Sequence, residues 1–249
     1  MKNRSVIAVD ADADANLASA LGIPADEPIT PLADMSDMIA ERTGSLAAAG
    51  EGHEYANYFR LNPKVDDIPE RYCRKVGNIR LLVLGGMNRG GGGCLCPASA
   101  LLKALLIHLT LGRDDALVMD MEAGIEHLGR ATAQSMDALI VVVDPTPWSV
   151  QTALRVRKLA GDIGLRNVLA VANRTDARGA GLALRAHDVI ADRLQGIPLI
   201  GQLPTDDRLQ MGVLRPGTDG SFMASDALVE HLAAVDGMLS EIDSRTSRH

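Results

Sequence analysis

The chain has 249 residues, of which 47% are hydrophobic and 23% are charged, a composition typical of a folded globular protein and not of a disordered chain. Its net charge of −7 and its few aromatic residues (one Trp, three Tyr and two Phe) argue against a nucleic-acid partner, since such surfaces combine a basic field with stacking rings. No stretch reaches the ~18–20 apolar residues that cross a bilayer, and the first residues turn acidic where a signal peptide needs an apolar core. We therefore expect a cytoplasmic protein with no membrane or nucleic-acid partner.

Apolar runs alternate with helical patterns along most of the chain. The runs are continuous, which is typical of parallel strands covered by helices on both faces. The alternation predicts an α/β fold with an open, mostly parallel, doubly wound sheet and helices on both faces. The predicted strands are Ser5–Asp10, Ile79–Leu84, Ala116–Asp120, Ala138–Asp144, Val168–Asn173 and Pro198–Gln202. The predicted helices are Asn16–Leu21, Ala98–Leu111, Trp148–Ile163, Leu182–Leu194 and Asp226–Ile242.

These elements fit one domain over residues 1–249. Residues 26–77 interrupt the alternation with scattered proline, glycine and mixed charge, so we expect an insertion with short helices there. Residues 244–249 (SRTSRH) are expected to form a frayed tail. The three cysteines are too few, and odd in number, for a disulfide framework, which fits a reducing cytosol.

Carboxylates follow several of the predicted strands, where open α/β sheets bind their ligands. Asp10 and Asp12 come after the first strand, and two carboxylates at this spacing can orient an attacking water and a metal ion. Asp120 ends an apolar run, as in a Walker B element whose carboxylate holds Mg²⁺ beside nucleotide phosphates. The same residues also fit structural roles, with Asp10 and Asp12 in a turn and Asp120 at a turn or helix N-cap.

Two cysteines, Cys94 and Cys96, lie in a Cys-Leu-Cys-Pro segment that follows four glycines. Thiolates are soft ligands for Ni²⁺ or Zn²⁺. One pair supplies only two ligands, whereas the same pair from two copies in a two-fold dimer supplies the four of a tetrahedral site. Alternatively, both side chains serve as small apolar groups, although a glycine-rich loop is a poor place to bury them. Cys73 has no partner nearby in the sequence and is expected to be structural.

Longer segments resemble the CooC-type maturation factors of carbon monoxide dehydrogenase, which belong to the deviant Walker A ATPases together with MinD, ParA and the nitrogenase iron protein. The combination of CLCP with DMEAGIEHLGRATA is specific to the maturation factors. The other matching segments are AVDADADANLASALG, ITPLADMSDMIAERTG, LNPKVDDIPERY, AVANR and GQLPTDD. The resemblance implies a P-loop NTPase fold like that of MinD and the nitrogenase iron protein.

The resemblance also implies an ATP- and Mg²⁺-dependent factor that assists nickel insertion into carbon monoxide dehydrogenase, its partner. By matching position, Asp12 would orient the hydrolytic water and Asp10 would support the phosphate and metal site. Asp120 would serve Mg²⁺. Three residues would surround the adenine: Asn173, Pro204 and Asp206.

The same resemblance implies which residues bind the metal that the protein delivers. Cys94 and Cys96 would bind Ni²⁺ or Zn²⁺ jointly with the same pair on the second subunit of a homodimer. The family usually has a small residue or Pro where this chain has Glu122, so an extra carboxylate is expected near Mg²⁺.

One family element has no match. The family opens with a strand, a KGGVGKT loop and a helix, whereas no Gly-Lys-Thr or Gly-Lys-Ser occurs in this sequence. Residues Gly85–Gly93 are rich in glycine, but Cys-Leu-Cys-Pro follows where a P-loop carries its Lys and hydroxyl residue. We expect the sequence to lack this N-terminal unit of about 30 residues through a misplaced start or fragmentation. Without its phosphate cradle, ATP affinity and hydrolysis would collapse.

Two other functions are consistent with parts of the sequence. One is a catalytically inactive metal-binding scaffold that keeps the dimer and the thiolate site without ATP turnover. The other is a MinD/ParA-type positioning ATPase that acts on a membrane or on DNA-bound partners. The acidic last helix, SDALVEHLAAVDGMLSEID, disfavours the positioning ATPase because a membrane-surface helix is rich in Lys and Arg.

Overall fold

The computed structural model describes residues 5–12, 14–24, 26–44, 60, 62–85, 101, 104–105, 107, 116–121, 136–175, 190–205 and 226–246. The chain forms two compact units, Met1–Glu122 and Ala123–His249. Among the described residues, the first unit contains a four-stranded sheet and the second a three-stranded sheet. The α/β fold class with mostly parallel strands is confirmed, whereas a single domain over 1–249 stays a prediction.

The first sheet has the strand order β2-β3-β1-β4. β1 pairs in parallel with both β3 and β4, so its backbone is hydrogen-bonded on both sides. The short strand β2 is antiparallel to β3 and was not predicted. Gly77, with a φ of +58°, lies in the two-residue turn between β2 and β3, where a left-handed backbone suits a tight hairpin. The strands are β1 Val6–Asp10, β2 Arg74–Val76, β3 Ile79–Val83 and β4 Ala116–Asp120.

Short helices surround this sheet. They are α1 Leu17–Ala20, α2 Ser36–Thr43 and α3 Ile68–Arg71, and a 3₁₀ turn covers Leu32–Asp34. Residues 101, 104, 105 and 107 are also helical, within the helix predicted over Ala98–Leu111. Side chains of these elements bury an apolar core against β1 and β3, which includes Val9, Ile68, Leu82, Leu101 and Leu105.

One ion pair fastens α2 to the start of α3. The Arg42 guanidinium donates to both carboxylate oxygens of Asp67, at 2.8 and 2.7 Å, and its side chain is only 11% exposed. The hydrogen bond from Arg42 lowers the pKa of Asp67 well below its usual range. Because the planar guanidinium and the planar carboxylate share two hydrogen bonds, they hold the segment after residue 62 against α2.

The second sheet is parallel throughout, in the order β5-β6-β7. Its strands are β5 Leu139–Val143, β6 Val168–Thr175 and β7 Leu199–Pro204. Helix α4 covers Pro147–Ile163 and α5 covers Asp226–Thr246. Residues 190–193, within the predicted helix Leu182–Leu194, are helical too.

The first and last residues of helix α4 were predictable from its capping residues. The Thr146 hydroxyl caps its first turn by accepting the Ser149 N–H at 3.3 Å, and Pro147 takes the first helical position. Gly164 ends the helix with a φ of +90°. Helix α5, by contrast, runs past the predicted end at Ile242 into the stretch expected to be frayed, and Arg245 pairs with Glu241 one turn earlier at 2.6 Å.

Burial differs between strands of similar composition. Val9 on β1 is completely buried, and five successive residues of β6 are buried. On β5, however, Ile140 and Val142 are 44% and 61% exposed, which contradicts the expectation that this strand is covered on both faces. Helix α4 contacts β5, and the two exposed residues alternate along the strand with Leu139, Val141 and Val143, which are buried or half-buried. In the described part of the chain, no helix is both long enough and apolar enough to span a membrane.

Candidate functional site

The carboxyl ends of β1 and β4 bring two of the predicted carboxylates side by side. Asp10 and Asp120 are register partners on adjacent parallel strands. The chain leaving β1 stays attached to β4, because the Ala11 N–H donates to the Asp120 carbonyl oxygen at 2.8 Å. Asp12 follows within the same turn. The grouping of Asp10, Asp12 and Asp120 at one edge of the first sheet therefore occurs as the sequence pattern predicts.

The three carboxylates have different surroundings. Asp10 is completely buried, and its two oxygens accept the backbone N–H groups of Asp12 at 3.2 Å and Leu17 at 3.0 Å. Asp12 is half-buried, and its Oδ1 accepts the Asp14 N–H at 2.9 Å. Asp120 is exposed.

The electrostatics of this edge centre on Asp120. Desolvation raises its pKa above the usual value, and the nearby charges of Asp10 and Asp12 raise it further, against a smaller lowering by the Met121 N–H. A divalent cation beside Asp120 would reduce this repulsion, and carboxylate oxygens are the ligands that Mg²⁺ prefers. The donor set at Asp120 therefore fits Mg²⁺. Within the described ranges, no three His, Cys, Asp or Glu side chains already converge into a metal-holding group.

The second sheet carries two of the three predicted adenine-binding residues at its own carboxyl edge. Asn173 lies near the end of β6 and Pro204 at the end of β7, where Thr175 pairs with Pro204. The pairing shifts register between Ala172 and Thr175. Buried Thr175 holds β7 by donating its hydroxyl to the Leu203 carbonyl oxygen at 3.1 Å.

The irregular pairing places Arg174 in a left-handed conformation, with a φ of +54°. Its guanidinium lies 3.5 Å from the Asp144 carboxylate, which follows the neighbouring strand β5. Sequence reasoning did not single out Arg174. A positive φ at a residue other than Gly or Asn leaves no compositional signal, so only the structure reveals this contact.

Several predicted residues lie outside the described residues: Cys94, Cys96, Glu122 and Asp206. Most of the glycine-rich stretch Gly85–Gly93 does too, and only Gly85 is described. Cys73 is described, packs against the core of the first unit and has no disulfide partner among the described residues. Burial raises the pKa of its thiol to about 11, as expected for a structural cysteine.

Comparison with known proteins identifies relatives along most of the chain. An uncharacterised ATP-binding protein of Methanocaldococcus jannaschii is 43% identical over 204 residues, which are 82% of this chain and 75% of that protein. The carbon monoxide dehydrogenase accessory protein CooC of Rhodospirillum rubrum is 40% identical over 209 residues, covering 82% of this chain and 74% of that protein. No protein-family model matches the chain.

The fold has solved counterparts. MinD in the MinC–MinD cell division complex of Aquifex aeolicus superimposes with a TM-score of 0.59 at 19% identity, over 99% of this chain and 83% of that one. Identity at this level shows the fold alone, whereas the 40% match to CooC extends over nearly three quarters of that protein and shows the family. The chain has the fold of MinD and belongs to the family of the carbon monoxide dehydrogenase accessory protein CooC.

Proposed function

We propose that this protein is an ATP-dependent maturation factor that assists nickel insertion into carbon monoxide dehydrogenase. The observation that carries the proposal is the likeness to the CooC accessory protein, at 40% identity over 82% of this chain. The CLCP segment would provide a thiolate pair for the metal, and the carboxylates of Asp12 and Asp120 would act on the Mg²⁺-nucleotide.

The nucleotide half of the proposal concerns the residues that the family resemblance implies. Asp120 would hold Mg²⁺ and Asp12 would orient the water that attacks the terminal phosphate. When bound, Mg²⁺ neutralises charge on the phosphate oxygens. Asn173, Pro204 and Asp206 would surround the adenine. The position of Asp120 beside Asp10, and of Asn173 near the end of β6, supports these roles.

The metal half concerns Ni²⁺ as cargo. Cys94 and Cys96 would bind Ni²⁺ or Zn²⁺ together with the same pair of a second copy, which makes the homodimer part of the site. Cys73 is poorly suited to bind a metal, because it packs against the core of the first unit and burial raises the pKa of its thiol, whereas metals bind the thiolate.

Nickel binding by the purified chain tests the metal half. We expect one Ni²⁺ per two chains by equilibrium dialysis, and loss of this binding in the Cys94→Ser/Cys96→Ser variant. Cys73→Ser is the matched control and should retain full stoichiometry. Unchanged nickel binding in the double variant would exclude the Cys-Leu-Cys site.

ATP turnover tests the nucleotide half. In a form of the protein that carries the family's N-terminal KGGVGKT unit, we expect Mg²⁺-dependent hydrolysis that falls by about 100-fold or more in Asp12→Asn, because orienting the attacking water is a catalytic and not a binding role. Asp14→Asn, at an exposed position two residues later, is the control. A protein that binds Ni²⁺ through the cysteine pair but neither binds nor hydrolyses ATP would instead be the metal-binding scaffold.

The role in maturation needs the client enzyme. Carbon monoxide dehydrogenase produced together with this protein should contain more nickel than the same enzyme produced alone or with the Cys94→Ser/Cys96→Ser variant. Equal nickel contents in all three preparations, measured by elemental analysis at limiting nickel supply, would contradict the proposed function.

A further inference from the structure

Both oxygens of the buried Asp10 carboxylate already accept hydrogen bonds from the protein backbone. Its side chain has no solvent exposure, and each of its two oxygens accepts a different backbone N–H, one from Asp12 and one from Leu17. A carboxylate that ligates a cation or faces a phosphate needs an accessible oxygen turned toward that group. Asp120, its register partner on β4, is exposed and meets that requirement.

The two amides that Asp10 binds lie on either side of the turn that carries Asp12. The Asp12 N–H is two residues after Asp10, and the Leu17 N–H is seven residues after it, at the first residue of α1. One side chain thus fixes both the start of the turn and the start of the following helix. Hydrogen bonds from backbone N–H groups to a carboxylate are among the stronger ones in proteins.

The turn between these two points adopts a backbone that needs such support. Ala15 has a φ of +49°, a left-handed conformation that is unfavourable for a residue with a Cβ. Within the turn, the Asp14 N–H donates to Asp12 Oδ1 and the Ala15 N–H donates to the Asp12 carbonyl oxygen at 3.3 Å. These local bonds set the conformation around Asp12, and Asp10 anchors the whole turn to the sheet.

We propose that Asp10 is a positioning residue: it fixes the turn that presents Asp12 to the nucleotide, and it ligates neither the cation nor the phosphate. The effect of Asp10 on catalysis rests on the proposed ATPase function, whereas its role in anchoring the turn does not. It assigns to Asp10 a task different from that of Asp12, although the two residues are only two positions apart on the same strand end.

The substitution Asp10→Asn separates the two roles. An amide side chain keeps one acceptor oxygen but replaces the other by an NH₂ group, which cannot accept a backbone N–H. One of the two anchors is therefore lost while the shape of the side chain is conserved. Asp12→Asn is the comparison for a direct role, and Asp14→Asn is the control at an exposed position.

The first readout is amide hydrogen exchange, resolved at Asp12 and Leu17 by NMR. In Asp10→Asn we expect exchange at one or both of these amides to be faster by about tenfold, the loss expected for one hydrogen bond. Asp12→Asn and Asp14→Asn should leave the Leu17 amide unchanged. If both amides exchange in Asp10→Asn at the rate of the unsubstituted protein, the positioning role is excluded.

The second readout is the Mg²⁺ dependence of ATP hydrolysis by the form that carries the family's N-terminal KGGVGKT unit. Asp10→Asn should lower kcat by about tenfold while the half-saturating Mg²⁺ concentration changes by less than about threefold, because a misplaced Asp12 slows the chemical step without removing a ligand. A Mg²⁺ requirement that rises as much as kcat falls would make Asp10 a ligand and overturn the proposal. If the unsubstituted form with this unit hydrolyses no ATP, the proposed function fails, and the exchange result alone still accepts or rejects the anchoring by Asp10.

Discussion

Asp10 and Asp144 each follow an apolar run of a parallel strand, β1 and β5, yet they have opposite surroundings. Asp10 is completely buried and accepts two backbone N–H groups, whereas the Asp144 side chain is 37% exposed and faces the Arg174 guanidinium at 3.5 Å. The strands themselves also differ. β1 is hydrogen-bonded to a neighbouring strand on each side, whereas two apolar side chains of β5 are exposed. An apolar run that ends in Asp therefore marks a strand end without specifying what the carboxylate does.

The largest expected difference concerns the same residue type on the two strands. Ile7 on β1 is 4% exposed and Ile140 on β5 is 44% exposed. Ile7→Ala should lower the free energy of unfolding by about 2–5 kcal/mol, because it removes buried methyl groups and leaves a cavity. Ile140→Ala should lower it by less than about 1 kcal/mol. Urea unfolding of both variants measures the contrast, and similar losses would mean that β5 is covered in solution.

The two aspartates provide the next comparison. Asp10→Ala removes a buried carboxylate and leaves the half-buried N–H groups of Asp12 and Leu17 without their acceptor, so the free energy of unfolding should fall by about 2–4 kcal/mol. Asp144→Ala removes an exposed ion pair, worth less than about 1 kcal/mol. Chemical denaturation monitored by circular dichroism would test this order. Equal effects would indicate that Asp10 is exposed to solvent in the folded protein.

At Asp120 we expect a substitution to change the free energy of unfolding by less, and to increase it. Its pKa is raised, so the folded protein holds the proton more tightly than the unfolded chain does. Stability is therefore lost as the pH rises from the unfolded-state pKa of about 4 through the raised folded-state pKa. Without Mg²⁺ at pH 7, Asp120→Asn should be more stable than the unsubstituted protein by no more than about 1 kcal/mol, a limit set by its exposure.

Thermal unfolding of the Asp120→Asn variant in EDTA checks this sign. The two proteins should have nearly equal Tm values below about pH 4, where Asp120 is protonated in both states, and should diverge as the pH increases. A variant that is less stable at pH 7 would mean that the Asp120 carboxylate makes a stabilising contact in the folded protein.

The smallest effect is the coupling between Asp144 and Arg174. A double-mutant cycle with Asp144→Ala and Arg174→Ala should give an interaction energy below about 0.5 kcal/mol, because the Arg174 side chain is 65% exposed and its charge is screened by water and salt. The value should approach zero in 0.5 M NaCl. A coupling of about 1 kcal/mol or more that persists in high salt would mean that this ion pair is less exposed to water than its side chains are in the structure.

Much of the fold was predictable because its signals are local. The ends of α4 follow from Thr146, Pro147 and Gly164, whose capping and turn preferences are encoded in the residues themselves. The strand β2 was missed because Arg74, Lys75 and Val76 show no apolar pattern, and their pairing depends on β3.

The candidate site was predictable in position but not in detail. The strand pattern places Asp10, Asp12 and Asp120 at one edge, and the register pairs Asp10 with Asp120. The acceptor role of Asp10 was not visible, because its partner at Leu17 is a backbone N–H, which every residue except proline carries. The exposed residues of β5 were also not predictable, since an apolar run does not reveal which face of a strand a helix covers.

The contact between β7 and α5 constrains how this family can vary. A Cβ built at Gly201 would lie far inside van der Waals contact with Cε of Met238, and Met238 is 7% exposed. Alanine at position 201 therefore requires a shorter or displaced side chain at position 238. Relatives in which the two positions have diverged should show paired changes, with a larger residue on the strand accompanied by a smaller one on the helix.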